Sequence, residues 1–236
     1  MGLCATVNLP YFRTIQKYHY QEGKPIFLLA SIFVSIPLDT QQMQSTKNLP
    51  LSLTGAGLEY HALADYHRFV TSECKQSQVP MSVTQVARQK SHKRKLTELR
   101  KRWKTLTIEQ RKLLAEGDTN EKKLIAFLAV LKTYEIAVRF VEEEVIHAFR
   151  NTPHKITYHE FDRYILRLEE EYPDLKNRSE ATFNKIRSRI FGMMREVGMF
   201  EKKQSFKLHR PYLPVAFKHA VQADEEAKLI WFLHEQ

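Results

Sequence analysis

From residue 51 to residue 200, apolar side chains recur every three or four positions, and short polar stretches divide the run into segments. That period puts the apolar groups on one stripe of an α-helix, which has 3.6 residues per turn. Leu58–Glu73 is the first such segment, with Leu58, Leu63, Phe69 and Val70 as its apolar positions, and Cys74–Pro80 reads as a loop. Ser82 and Gln85 have capping-box spacing, which predicts a short helix Val83–Arg88, a break near Lys90–Ser91 and a second helix Ser91–Leu106. The second helix carries Leu96, Leu99, Trp103 and Leu106 on one side. Thr107 and Gln110 repeat the box, and Gly117 stands where a helix ends. Lys122–Lys132 contains LIAFLAVL, apolar nearly all round, and so predicts a buried central helix.

Tyr134–Arg150 continues with Ile136, Ala137, Phe140, Val141, Val145 and Phe149 on one side and Glu142–Glu144 turned mostly outward. A third box, Thr157 with Glu160, has Ile156 in the staple position and opens Tyr158–Glu171, a helix that Pro173 stops. Ser179 heads Glu180–Val197, whose stripe is Phe183, Ile186, Ile190, Met193, Met194 and Val197, and Gly198 terminates it. Residues 199–213 predict two short strands around a basic turn, and Glu225–Leu233 a terminal helix. The class is all-α, with a possible small β-wing.

Three parts follow from this reading. Residues 1–50 read as a poorly structured leader or a start placed too early, with Met43 as the alternative first residue. Their apolar run Pro25–Pro37 has 13 residues with a proline at each end, short of the ~20 that span a bilayer, and no small-residue cleavage site follows it. Residues 51–117 form an N-terminal helical unit resembling a helix-turn-helix. Residues 118–236 form a C-terminal helical unit containing a winged-helix-like part at 156–212.

Charge sharpens this division. The 236 residues carry 37 Lys plus Arg against 27 Asp plus Glu, a formal charge of +10. Residues 88–104 hold nine basic and one acidic side chain, and residues 176–210 hold ten and three, whereas 105–175 hold ten and fourteen. Two basic blocks separated by an acidic segment suggest surfaces for a polyanion.

In the second block, helix, turn, longer helix and basic hairpin follow in the order of a winged helix. At about 100° per residue, the outer face of Glu180–Val197 holds Ala181, Asn184, Lys185, Ser188, Gly192 and Arg195. Asn184 has the chemistry to pair with an adenine edge, and Lys185 to reach guanine or phosphate. Arg187, Ser188 and Arg189 join them as candidates. Lys202, Lys203, Lys207 and Arg210 would arm the wing. The turn YPDLKNR is longer than the three or four residues usual in a helix-turn-helix. In the first block, Lys93, Arg94 and Lys95 crowd the first turn of a helix, where the positive N-terminus attracts phosphate. They point in different directions, which suits backbone clamping better than base reading. Lys101 shares a face with Arg94. Trp103 reads as a core residue before a base-stacking platform.

No phosphate-loop, dinucleotide, nucleophile-elbow or HExxH motif occurs. His154 and His159 lack further ligands at zinc spacing, and His61 with Asp65 reads as a surface pair. Pro173-Asp174 and Glu201-Lys202-Lys203 imitate a magnesium-nuclease pattern, but a predicted helix separates the two carboxylates. No enzyme, catalytic residue, metal, cofactor or small-molecule substrate is expected. Cys4 and Cys74 form no framework, so a reducing cytoplasm is the default.

From about Leu51 to Phe200 the chain resembles the BrxA family of bacteriophage-exclusion (BREX) systems. LSLTGAGL, KRKLTELRKRWKTLT, EQRKLLAEGD, AFLAVLKTY, the F-x-x-E-V of Phe140–Val145 and EYPDL…SEATFNKIRSRIFGMMREVGMF carry the likeness. The resemblance implies a small non-enzymatic cytoplasmic component of an anti-phage operon that acts with other BREX proteins. It also implies a likeness to the RNA-binding protein NusB and to helix-turn-helix DNA binders, and it assigns no catalytic residues. Three functions follow: double-stranded DNA binding through two helix-turn-helix-like units, RNA binding, or protein scaffolding through the acidic segment 105–175.

Overall fold

The computed structural model describes residues 20–21, 24–25, 49–55, 57–72, 79–202, 204–222 and 224. The chain divides into two units, Met1–Gln44 and Ser45–Gln236. In the first, β1 (Tyr20–Gln21) pairs antiparallel with β2 (Lys24–Pro25). The expectations for the rest of the leader, for the Cys74–Pro80 loop up to Gln78 and for a helix at Glu225–Leu233 lie outside the described residues.

The second unit is mainly helical, as its apolar period predicts. A 3-10 turn, Ser52–Gly55, precedes α1 (Tyr60–Thr71), α2 (Met81–Thr84), α3 (Gln89–Thr105), α4 (Ile108–Glu116) and α5 (Thr119–Thr133). After these come α6 (Glu135–Phe140), a π turn Val141–Val145, α7 (Ile146–Arg150), α8 (Tyr158–Glu171), a 3-10 turn Pro173–Asn177, α9 (Glu180–Glu196) and α10 (Val215–Gln222). Helix α5 is the central rod: every residue from Leu124 to Leu131 is buried, and α1, α3, α4, α6 and α10 pack around it. A second aromatic centre joins α6, α8 and α9, where the Phe140 ring lies 5.2 Å from Phe161, 5.5 Å from Tyr164 and 5.9 Å from Phe191. Burying such rings is the largest apolar contribution a helix junction can make.

Two capping boxes form as their spacing predicts. Thr107 accepts from the Gln110 amide at 3.3 Å, and the Gln110 side chain accepts in return from the Thr107 amide at 3.1 Å. The Thr157 and Glu160 box forms likewise, over an Ile156 with no exposed surface. The box expected at Ser82 does not form. Pro80 is the N-cap, α2 is one turn long, and Gln85 ends it in a left-handed conformation at φ 53°. The chain therefore breaks at residues 85–88, earlier than expected. His92 explains the placement, because its ring bonds the Thr84 hydroxyl at 2.7 Å and the Val79 carbonyl at 3.1 Å, which folds α2 back onto α3. Ser179 is the N-cap of α9, but its hydroxyl bonds that of Thr182 at 3.0 Å instead of a backbone amide. Gly117 ends α4 with φ −62°, so it is not a left-handed cap, whereas Gly198 is left-handed at φ 78°. The segment 134–150 is also not one uniform helix, since its three acidic residues Glu142–Glu144 fall within the π turn.

Beyond β1 and β2, strand pairing among the described residues is limited to two antiparallel bridges, Phe200 with Leu208 and Lys155 with Lys207. Backbone bonds extend them: Glu201 to Lys207 at 3.1 Å, His209 to Met199 at 2.9 Å and Ile156 to Phe206 at 3.0 Å. The hairpin after α9 thus takes a third extended segment from the residues just before α8.

Candidate nucleic-acid interface

The first basic block lies almost entirely on α3, and its side chains divide into those held by carboxylates and those that are not. Lys90, Lys93, Arg94, Arg100, Lys101 and Lys104 are exposed. Lys90, Lys93, Thr97, Arg100 and Lys104 fall three or four residues apart and so make one row, about 21 Å long at 1.5 Å per residue. No carboxylate among the described residues pairs with the cations of that row or with Arg94. Lys101 instead meets Glu98 at 3.2 Å, and Lys95 meets Glu59 at 2.7 Å. Because α3 starts at Gln89, Lys93, Arg94 and Lys95 lie in its second turn and not, as expected, in the first; Lys93 and Arg94 are turned to solvent while Lys95 ties α3 to the start of α1.

A buried polar network fixes this helix. Arg102 has 1% of its surface exposed and donates from Nη1 to the carbonyls of Gly57 at 2.8 Å and Leu58 at 3.3 Å. Its Nε donates to the Tyr134 hydroxyl at 3.4 Å, and that hydroxyl donates to the Glu98 carboxylate. Burial, reinforced by the bond to Glu98 and opposed by Arg102, pushes the Tyr134 hydroxyl up to about 12. Trp103 packs at the edge of the core, as expected. Its Nε1 donates to His67 Nδ1 at 3.0 Å, and the Arg111 guanidinium covers its ring at 3.8 Å. Burial first, then Arg111 and Arg68, pushes the His67 ring down, which keeps it neutral to accept that bond.

On α9, Ala181, Lys185 and Ser188 are exposed, as the outer face requires, while Asn184, Gly192 and Arg195 are half-buried. The Asn184 amide reaches Glu180 at 3.5 Å. No atom lies within 4 Å of where a side chain at Gly192 would begin, so that part of the surface is open. Arg187 is engaged: its Nη1 lies 2.5 and 2.7 Å from the two carboxylate oxygens of Asp162 on α8, and its guanidinium sits 4.8 Å from the Tyr158 ring. Arg189 is exposed and lies beside Gly57. Together with Glu59, Tyr60, Gln85 and Glu196 it lines a cleft of about 320 Å³. Burial pushes the Glu196 carboxyl up, against Lys123 and with Glu59 adding to it. Arg195 turns to the hairpin, 5.1 Å from the Phe200 ring and 5.7 Å from Phe206, and so anchors the hairpin to α9.

Of the hairpin cations, Lys202 is exposed, Lys207 meets Glu201 at 3.4 Å, and Arg210 is half-buried 5.6 Å from the Phe149 ring. Lys203 lies outside the described residues. The block count misplaced two side chains. Lys155 falls in the acidic segment of the sequence, and only the bridge to Lys207 reveals its place beside the hairpin. Arg102 counts as a surface cation in composition but is interior. The Asp174 and Glu201 carboxylates are not gathered with others: no group of His, Cys, Asp or Glu among the described residues has the arrangement to hold a metal. Asp65 pairs with Arg68 at 3.3 Å, not with His61. No described helix is long and apolar enough to cross a membrane.

These features define a mainly helical protein with two cation-bearing surfaces, one on α3 and one on α9 and its hairpin. The BrxA family model matches residues 66–225, more than half of the chain, and the protein belongs to that family. It is thereby a component of a BREX phage-defence system. The fold is similar to that of an uncharacterized protein from Magnetospirillum magneticum, with TM-score 0.67 and 16% identity over 78% of this chain and 97% of that one. No curated protein sequence matches it.

Proposed function

We propose that this protein is a non-enzymatic, double-stranded-DNA-binding component of its BREX system, acting in the cytoplasm with other BREX proteins. The observation that carries the reading is the sorting of cations on α3. Several arginines and lysines elsewhere find carboxylates, as Arg139 does with Glu143 and Glu171 and Arg167 with Glu144, while scattered ones such as Lys176 and Lys185 pair with none among the described residues. On α3, four lysines and arginines in one row keep none among the described residues. Placing like charges in a row is unfavourable without a polyanion, and a duplex offers about a dozen phosphate charges over a similar 21 Å length. The order helix, bridge segment, helix, helix, hairpin over 135–209 supports a winged helix, with α9 as the helix offered to a groove and Asn184, Lys185 and Ser188 turned toward bases. Helices α2 and α3 form the second helix-turn-helix-like unit, whose role is phosphate clamping.

The test is a gel-shift competition between duplex DNA and single-stranded RNA across a salt series. Duplex affinity falls steeply with salt, and Lys93→Ala with Arg94→Ala reduces the slope by about 1.8, at about 0.9 per phosphate contact. Asn184→Ala with Lys185→Ala reduces any sequence preference. Tighter retention of RNA would replace this reading with the RNA-binding one, and no retention of either polymer at low salt would leave protein scaffolding.

A further inference from the structure

The bridge between Lys155 and Lys207 sets two lysines directly opposite each other in an antiparallel pair. Residues so placed project to the same face, with Cβ atoms about 5 Å apart, and like charges there disfavour the pairing. The alternation along each segment fixes which face this is. Ile156 and Leu208, the neighbours of the two lysines, are 0% and 6% exposed, and Phe206 packs against the core. Lys155 and Lys207 therefore point outward, and both are exposed. One counter-ion is present: Glu201 reaches Lys207 at 3.4 Å. No carboxylate among the described residues pairs with Lys155. Exposed His154, His209 and Lys202 and half-buried Arg210 occupy the same three segments, and Arg150 ends the helix before them. Among the described residues, Lys155 and Lys207 thus share one outward face with the single carboxylate of Glu201, although the two lysines lie some fifty residues apart in sequence.

We propose that this outward face of the wing is a phosphate-binding site for the duplex backbone, with Lys155 as a direct contact and Lys207 exchanging Glu201 for phosphate. The inference rests on the DNA-binding reading and extends it to a segment outside both basic blocks. Geometry favours it over a merely solvated face. The core-facing contacts of Ile156 and Leu208 hold the stems of the two lysines side by side whether or not an anion is present, so both ammonium groups can reach one phosphate without a change in the backbone.

The experiment is fluorescence anisotropy of the full-length protein with a labelled duplex over 0.05–0.3 M salt, with circular dichroism to verify folding. Lys155→Ala is expected to lower the salt slope by about 0.9 and weaken binding about fivefold near 0.15 M salt. Lys155→Glu weakens it further, because it also captures Lys207. Lys218→Ala, an exposed cation on α10, leaves the slope unchanged. Wild-type binding with an unchanged slope in folded Lys155→Ala overturns the inference and leaves DNA binding standing. Absence of duplex binding by the wild type overturns both.

Discussion

Replacing Arg102 by methionine tests how the basic helix α3 is held. Methionine retains much of the apolar stem but removes the charge that Gly57, Leu58 and Tyr134 share. Two backbone carbonyls then lose their donor, and Glu98, only 9% exposed, loses the cation behind its tyrosine partner. Hydrogen bonds to a charged group contribute about 1.5–3 kcal/mol each, and removing one member of a buried ionic set costs about 3–5 kcal/mol. One term runs the other way: Nη2 of Arg102 finds no partner among the described residues, and the variant removes an orphan donor worth about 1–3 kcal/mol. The net expectation is a loss of about 2–4 kcal/mol. It is read as a lower urea midpoint of the full-length protein at unchanged m-value. Adding Glu98→Gln should restore part of that loss, because the stranded charge is gone, giving a coupling of about 1 kcal/mol or more. If Arg102→Met costs under about 1 kcal/mol, or the two effects simply add, the network is not what fixes α3.

Three further expectations concern stability. The Tyr134 hydroxyl is raised to about 12 in the fold, so the stability it contributes is complete below its unfolded value near 10. That contribution is lost as pH rises from about 10 to 12, because the unfolded chain gives up the proton first; urea midpoints from pH 9 to 11 should fall, and less so in Tyr134→Phe. Gly198→Ala should cost about 1 kcal/mol from its φ of 78° although the space beside it is free, whereas Gly192→Ala should add up to about 1 kcal/mol; thermal unfolding of the two variants must move in opposite directions. Thr107→Ala breaks the capping box of α4 and should cost about 1 kcal/mol in the same assay; no change would mean that Gln110, held from the other side by Asp224 at 2.6 Å, suffices alone.

What was readable in the sequence follows the range of the forces involved. Helices α8 and α9 are local statements, a periodic stripe between a cap and a breaker, and stand where the pattern puts them, while the all-round apolar run marks α5, which starts three residues earlier behind an Asp118–Glu121 capping box. The failures sit where a distant group overrules the local one. Ser82 has a good capping pattern, but His92 pulls Thr84 and Val79 together and moves the start of α2 to Met81. The π turn adds a residue to a helix whose stripe already looked continuous. Charge behaves likewise. Block arithmetic located α3 and α9, but it has no means of telling Lys93 from Lys95, one turned to solvent and the other spent on Glu59, or of moving Lys155 from an acidic segment to the hairpin.

The short loop 57–59 matters most for how the two cationic surfaces act together. Its Gly57 and Leu58 carbonyls hold Arg102 of α3, its Glu59 holds Lys95 of the same helix, and Gly57 lies against Arg189 of α9. Both surfaces belong to the unit Ser45–Gln236 and are braced through one segment, not joined by a linker. A flexible connection would charge the second contact the entropy of closing the intervening chain, whereas a braced pair meets that cost at folding. On the DNA-binding reading, a duplex engaged by α3 therefore finds α9 already at its working distance, and the brace, not either set of lysines, decides whether the two contacts reinforce each other. Arg102→Met removes no exposed cation; a steep loss of duplex affinity in that variant with the salt slope of a single surface would locate the coupling in this loop.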